Sequence, residues 1–89
     1  MKYAFRFTTH AQRQLRSIDR QDVMRILTAL TSLGDDPHRD DADTTKLAGH
    51  DGLYRLHVGS FRIVYEIRND VLVILVVHAG NRRDVYRGL

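Results

Sequence analysis

The chain is short and basic, with 89 residues, 14 lysines and arginines against 11 acidic residues, and no cysteine. A chain of this length forms one domain with a small core. The absence of cysteine excludes a disulfide framework and a thiolate metal site. No apolar run approaches the roughly 18 residues of a membrane span, so the sequence predicts a soluble, cytoplasmic protein.

Charge is unevenly distributed along the chain. Residues 34–43, GDDPHRDDAD, carry a net charge of −4, which leaves +7 on the rest of the chain. Such a positive balance favours a polyanionic partner such as nucleic acid. The acidic segment lacks the ligand order and central glycine of a calcium loop, and the histidines lack metal-ligand spacing. We therefore expect neither a metal site nor a cofactor.

The first part of the chain predicts a strand followed by two helices. The hexapeptide KYAFRF alternates aromatic residues with small or charged ones, which is typical of a strand. Thr8 or Thr9 can then cap a first helix, and Asp19 a second one. Gly34 is placed to end the second helix.

The segment YRLHVGSFRIVYEI, residues 54–67, predicts a β-hairpin. Its apolar residues fall at alternate positions on both sides of Gly59-Ser60, and glycine suits the first central position of a two-residue type II′ turn. That turn places the large apolar side chains on one face and pairs His57 with Arg62 on the other, beside Arg55.

The rest of the chain predicts one more strand and completes the fold class. A second turn at Asn69-Asp70 leads into an apolar strand from Val71 to His78, where His78 is expected at the edge of the core. Gly80-Asn81 is expected to break that strand. We predict an α+β fold in a single domain, residues 1–89: strand, helix, helix and a three-strand antiparallel meander, with both helices on one sheet face.

The C-terminal segment AGNRRDVYRGL supplies further polar candidates. Arginine suits phosphate recognition because its planar fork donates to two oxygens and stays charged. Tyrosine can stack on a base or supply a proton. The residues alone leave three interpretations open: a solvated sheet face, a passive surface for nucleic acid or another partner, and a catalytic site. The candidates in this segment are Arg82, Arg83, Tyr86 and Arg87.

From its first strand to Tyr86, the chain resembles the RelE/ParE superfamily of bacterial toxins. The resemblance is carried by KLAG, YRLHVG, FRIVY and GNRRDVY. It implies a small basic toxin that a neighbouring antitoxin neutralises. For RelE-type members it also implies ribosome-dependent cleavage of messenger RNA in the decoding site, without metal. A divergent branch, the ParE toxins, inhibits DNA gyrase instead and lacks the ribonuclease residues.

The resemblance also implies roles for individual residues. Arg55 and His57 stand where lysines are common in RelE members; Arg55 keeps the charge, and His57 keeps a titratable group. The resemblance places phosphate-stabilising arginines at Arg62 and Arg82. Their retention, together with Tyr86, favours the ribonuclease branch over the ParE branch. The implied catalytic residues are Arg55, His57, Arg62, Arg82 and Tyr86, and the implied RNA-binding residues are Arg83, Arg87 and Lys46.

The sequence is thus interpreted as the toxin of a type II toxin–antitoxin system. It would cleave messenger RNA on the ribosome by attack of the RNA's own 2′-hydroxyl, independently of metal. The alternatives are a ParE-like gyrase inhibitor that acts by binding, and a catalytically inactive homologue that binds only an antitoxin. The expected partners are a RelB-like antitoxin, acidic and partly disordered, the ribosome with its messenger RNA, and operator DNA for the toxin–antitoxin complex.

Overall fold

The structure, a computed structural model, describes residues 3–37, 44–47, 49 and 52–81. Within these residues the chain forms five strands and two helices. Their order is β1 (Ala4–Phe7), α1 (Thr9–Arg16), α2 (Arg20–Asp35), β2 (Thr44–Lys46), β3 (Leu53–Val58), β4 (Phe61–Arg68) and β5 (Val73–Asn81). No helix in this part of the chain is long and apolar enough to cross a membrane.

The strands form one sheet in the order β1-β5-β4-β3-β2. β1 pairs with β5 in parallel, and the remaining pairs are antiparallel. The predicted α+β class is therefore confirmed, with one strand more than predicted. The additional strand, β2, has the sequence TTK and no apolar alternation, so periodicity could not identify it.

Local sequence explains where the helices begin. Thr8 caps α1, since its hydroxyl oxygen accepts a hydrogen bond from the Ala11 amide at 3.1 Å. Asp19 occupies the N-cap position of α2, but its side chain makes no capping hydrogen bond. The prediction that Gly34 ends α2 is wrong. Gly34 lies buried inside the helix, where its carbonyl accepts a hydrogen bond from the Tyr3 amide at 3.2 Å.

Both helices cover the same face of the sheet, and the core lies between them. From the helices, Ala11, Ile26, Leu30 and Leu33 are buried. Leu27, on the same helix as Ile26, is 38% exposed. The buried side chains that the sheet contributes are Leu56, Ile63, Tyr65, Ile74, Val76 and Ala79.

The first turn has the predicted geometry, and the β3–β4 register is as predicted. Positive φ in this turn is confined to Gly59, at 59°, which is the pattern of a type II′ turn. Val58 pairs with Phe61, His57 with Arg62, and each further pair follows without a shift.

The second turn and the end of β5 differ from the prediction. Arg68 pairs with Val73, so the connection has four residues, and Val71 and Leu72 are exposed rather than in the strand. Leu72 adopts a left-handed φ of 52° there. Gly80-Asn81 does not break β5, because β4 extends far enough to pair with both residues.

β5 also contains a bulge that no sequence pattern indicated. Val64 pairs with His78 whereas Tyr65 pairs with Val76, so Val77 is an extra residue on β5. A bulge of this kind reverses the alternation of the strand beyond it. His78 therefore shares the sheet face of Val64 and Arg55 instead of the core face, while its ring still contacts His10 of α1.

Replacing Gly59 by alanine should destabilise the fold by about 1–2 kcal/mol, because an L-residue with a side chain is strained at positive φ. Nothing lies within 4 Å of an added Cβ, so the loss would come from the backbone alone. Ser60→Ala is the matched control, with an expected change below about 0.5 kcal/mol. Urea unfolding measures both, and equal stability of Gly59→Ala and wild type would contradict the assigned turn.

Candidate functional site

Three polar side chains of the hairpin lie together on the sheet face opposite the helices. Arg55 and His57 come from β3, and Arg62 comes from β4 as the direct cross-strand partner of His57. We call these three residues the cationic face. Each is partly buried, and the Arg55 Nε and His57 Nε2 atoms are inaccessible to solvent.

The sheet geometry sets the spacing within the cationic face. Cross-strand partners have their Cβ atoms about 5 Å apart, so the His57 imidazole and the Arg62 guanidinium can contact the same phosphate. Arg55 and His57 are two residues apart on one strand, which is about 7 Å. The face therefore combines two guanidinium groups, which stay charged at any working pH, with one imidazole.

His78 is a further titratable group on the same side of the sheet. Its cross-strand partner is Val64, which in turn pairs with Arg55, so the three side chains form one row across the central strands. His78 is only 8% exposed, and its Nδ1 atom is buried without a hydrogen-bond partner among the described residues. The sequence placed His78 at the core edge because the bulge could not be foreseen.

His78 is in contact with a second histidine. The His10 ring, in the first turn of α1, meets it edge to face with the ring centres 4.6 Å apart. Burial lowers the pKa of His78 below its ordinary value of 6.5, and the neighbouring His10 lowers it further. At neutral pH His78 is therefore an uncharged imidazole.

The other predicted site residues are placed as follows. Lys46 is exposed on the edge strand β2 and pairs with Tyr54, whose side chain packs against the core. Cross-strand partners share a face, so Lys46 points to the helix-covered side and does not join the cationic face. Arg82, Arg83, Tyr86 and Arg87 lie outside the described residues, and their roles remain predictions.

The described residues contain no group of three or more histidines or carboxylates that could hold a metal ion. Most of the acidic segment, residues 38–43, lies outside that part of the chain. The expectation of a reaction without metal accordingly stays a prediction.

Comparison with known protein families identifies the family of this chain. Residues 5–86 match the sequence model of the family described as "ParE toxin of type II toxin-antitoxin system, parDE". The chain belongs to the RelE/ParE family of toxins. A protein of Escherichia coli described as RelE-like is 31% identical over 90 residues, which cover 97% of this toxin and 92% of the relative.

Solved structures show the same fold. The archaeal RelE–RelB complex from Pyrococcus horikoshii OT3 contains a chain with a TM-score of 0.77 and 25% identity, covering 94% of this toxin and 99% of that chain. The intact RelBE toxin–antitoxin complex of Escherichia coli gives the same TM-score at 23% identity, covering 89% and 95%. The sheet and both helices of the toxin are thus those of the RelE fold.

The stability of the toxin should depend on pH through His78. Because His78 binds a proton less readily in the folded chain, its contribution is present in full above about pH 6.5 and is lost as the pH falls below that value. For one proton the loss is at most about 1.4 kcal/mol per pH unit, and it ends once the folded protein also takes up the proton. Urea unfolding at several pH values between 7.5 and 5 measures it.

A His78→Gln variant should lose this component of the pH dependence, whatever its stability at pH 7.5. His10→Gln should retain most of it, because burial is the larger cause of the lowered pKa. An unchanged pH dependence in His78→Gln would show that the ring is not protected from protonation in the folded protein.

Proposed function

We propose that the toxin is a ribosome-dependent endoribonuclease that cleaves messenger RNA in the decoding site and so inhibits translation. The observation that carries the proposal is the direct pairing of His57 with Arg62, beside Arg55, on a sheet face that the helices leave open. An imidazole next to a guanidinium can supply proton transfer and charge neutralisation, the two contributions that phosphoryl transfer without metal uses.

In the proposed reaction the RNA supplies its own nucleophile. The 2′-hydroxyl attacks the adjacent 3′-phosphate, the bond to the 5′-oxygen of the next nucleotide breaks, and a 2′,3′-cyclic phosphate forms. Arg62 donates to the phosphate oxygens, where negative charge increases in the transition state. His57 transfers a proton as base or acid. The resemblance assigns Arg82 to the same phosphate and Tyr86 to base stacking or to the leaving oxygen.

The cationic face explains why the toxin would need the ribosome. It lies on a sheet, with its three side chains on two adjacent strands. Such a surface can neutralise a phosphate, but the scissile nucleotide must also be held in line with its leaving group. A translating ribosome already holds the message extended in its decoding site, so the toxin has only to supply charge and proton transfer.

An antitoxin is the proposed cellular partner. The relatives from Pyrococcus horikoshii and Escherichia coli were solved in complex with RelB, and a basic toxin suits an acidic, partly disordered antitoxin of that kind. Val73 and Leu75 are half-buried, and their partners Arg68 and Glu66 lie on the same sheet face as Arg62. An amphipathic antitoxin segment over these residues would block the ribosome, and the complex would bind operator DNA.

Arg62→Ala should lower the single-turnover cleavage rate by about 10²- to 10³-fold, even at saturating ribosome concentration. Arg68→Ala is the matched control, because it removes the same charge from the same strand and sheet face. Arg68 is exposed and pairs with Glu66 at 3.1 Å instead of belonging to the cationic face. Primer extension on ribosome-bound messenger RNA measures cleavage in both variants.

The same experiment separates the proposal from its alternatives. Discrete breaks within translated codons support the ribonuclease, and equal rates for Arg62→Ala and Arg68→Ala would remove Arg62 from the chemistry. Intact messenger RNA together with altered DNA supercoiling would indicate a gyrase inhibitor of the ParE kind. Intact messenger RNA with normal supercoiling would indicate a homologue that only binds its antitoxin.

The chemistry of cleavage can be tested on the RNA itself. Replacing the 2′-hydroxyl at the scissile nucleotide by hydrogen should stop cleavage without preventing binding, since the attacking oxygen is then missing. His57→Gln should slow the single-turnover rate by about 10²- to 10⁴-fold near neutral pH. Rapid cleavage of the deoxy substrate would overturn the transesterification, whereas a fully active His57→Gln would assign the proton transfer to another group.

A further inference from the structure

A pair of histidines connects the first helix with the last strand of the sheet. His10, in the first turn of α1, meets His78 of β5 edge to face, with the ring centres 4.6 Å apart and the ring planes inclined by 73°. β1 pairs with β5 only as far as Val76. Beyond that residue the Ala79 amide of β5 donates a hydrogen bond to the Gln14 side-chain oxygen of α1 at 2.8 Å. The two rings therefore meet where helix and strand are already joined.

Hydrogen bonds fix the backbone on both sides of this contact. Thr8, the N-cap of α1, donates its amide hydrogen to the Val76 carbonyl at 3.0 Å and its hydroxyl hydrogen to the Val77 carbonyl at 3.3 Å. Gln14 holds the following part of α1 through its own bond to β5. The separation of the two histidine backbones is therefore set before any ligand arrives, so that binding costs little reorganisation.

The two rings differ in their exposure to solvent. His78 is 8% exposed, and its Nδ1 atom is buried without a hydrogen-bond partner in the part of the chain that the structure describes. A buried polar atom in this state costs free energy, and a bound water or ion is one way in which native proteins satisfy it. His10 is exposed, so its ring can turn about its side-chain bonds. An ion that enters at His10 would thus reach a buried nitrogen that lacks a partner.

The chemistry of the two rings favours a metal cation as the ligand. A neutral imidazole carries its proton on one ring nitrogen and leaves a lone pair on the other, which suits Zn²⁺, Ni²⁺ and Cu²⁺. Two imidazoles that bind one such ion at about 2.1 Å have ring centres about 4.5–5 Å apart. The separation of 4.6 Å between His10 and His78 lies in this range. An anion would need positively charged rings, and burial disfavours a charge on His78.

We propose that His10 and His78 together bind one divalent transition-metal ion, Zn²⁺, Ni²⁺ or Cu²⁺, with water completing its coordination. The site has two protein ligands, fewer than the zinc sites that proteins build from three or four. It takes no part in the proposed cleavage, and the bound ion would fasten α1 to β5 and stabilise the folded toxin. Histidine spacing along the chain could not indicate this site, because its two ligands lie near opposite ends of the sequence.

A copper titration followed by NMR tests where the ion binds. Cu²⁺ is paramagnetic and broadens the amide resonances closest to it, so less than one equivalent added to untagged toxin should first broaden those of Ala11, Val77 and Ala79. Mg²⁺, which prefers oxygen ligands, should leave these resonances unchanged. Loss of an outer partner of a metal ligand already costs about tenfold in affinity or more, so His10→Gln should cost at least that much. Broadening that begins around His57, or that is unchanged in His10→Gln, would overturn the site.

Urea unfolding with and without Zn²⁺ tests the effect of the ion on stability. An ion that binds the folded toxin more tightly than the unfolded chain raises the unfolding midpoint, so Zn²⁺ should raise it for the wild type and not for His10→Gln or His78→Gln. His10 is exposed, so its replacement leaves the core intact. His57→Gln is the matched control, because it also removes one imidazole, and it should keep the full rise. An equal rise in wild type and His10→Gln, or a rise lost in His57→Gln, would place the ion elsewhere and overturn the proposal.

Discussion

The antiparallel pairing of β3 with β4 across Gly59-Ser60 determines where every residue of the cationic face lies. Side chains alternate along a strand, so a slip of one residue in this pairing would exchange the two faces. It would expose Leu56 and Ile63, which are 1% and 0% exposed, and would turn Arg62 towards the core. Burial of Leu56 and Ile63 therefore also holds Arg62 on the face opposite the core. The same strand register thus determines both the stability of the hairpin and the position of its charged side chains.

The β4–β5 pairing, unlike the β3–β4 pairing, contains a bulge. The extra residue in β5 changes which side chains of the two strands face each other. It brings His78 opposite Val64 and into a row with Arg55. Val64 has 0% exposure although it lies on the face away from the helices. Its cross-strand neighbours there are Arg55 and His78, and the Arg55 Nε and His78 Nδ1 atoms are buried as well. The polar side chains of this face thus surround an apolar centre.

Two residues of the cationic face, Arg55 and His57, differ from those common in RelE members. Within the proposed mechanism, an imidazole and a guanidinium stand where RelE members commonly have lysines. Arg55 can contribute only charge, since a guanidinium keeps its proton at any working pH. Proton transfer from β3 would then rest on His57, whose group exchanges a proton near neutral pH. The ribosome would align the message, and the toxin would add the groups whose charge and protonation matter in the transition state.

The sequence by itself determined the α+β class, the β1 strand, the two helices and the register of the first hairpin. These features depend on local chemistry: alternation, the Thr8 cap, and a glycine at the one turn position that needs positive φ. It also indicated Arg55, His57 and Arg62 as neighbours, because the turn specifies their register. Only the tertiary structure decided the rest. β2 forms through backbone pairing with β3, which its side-chain pattern does not indicate. Gly34 stays in α2, where its carbonyl accepts a hydrogen bond from the Tyr3 amide. The bulge places His78 on the sheet face of Arg55 instead of the core face, because it reverses the alternation of β5 beyond Val77.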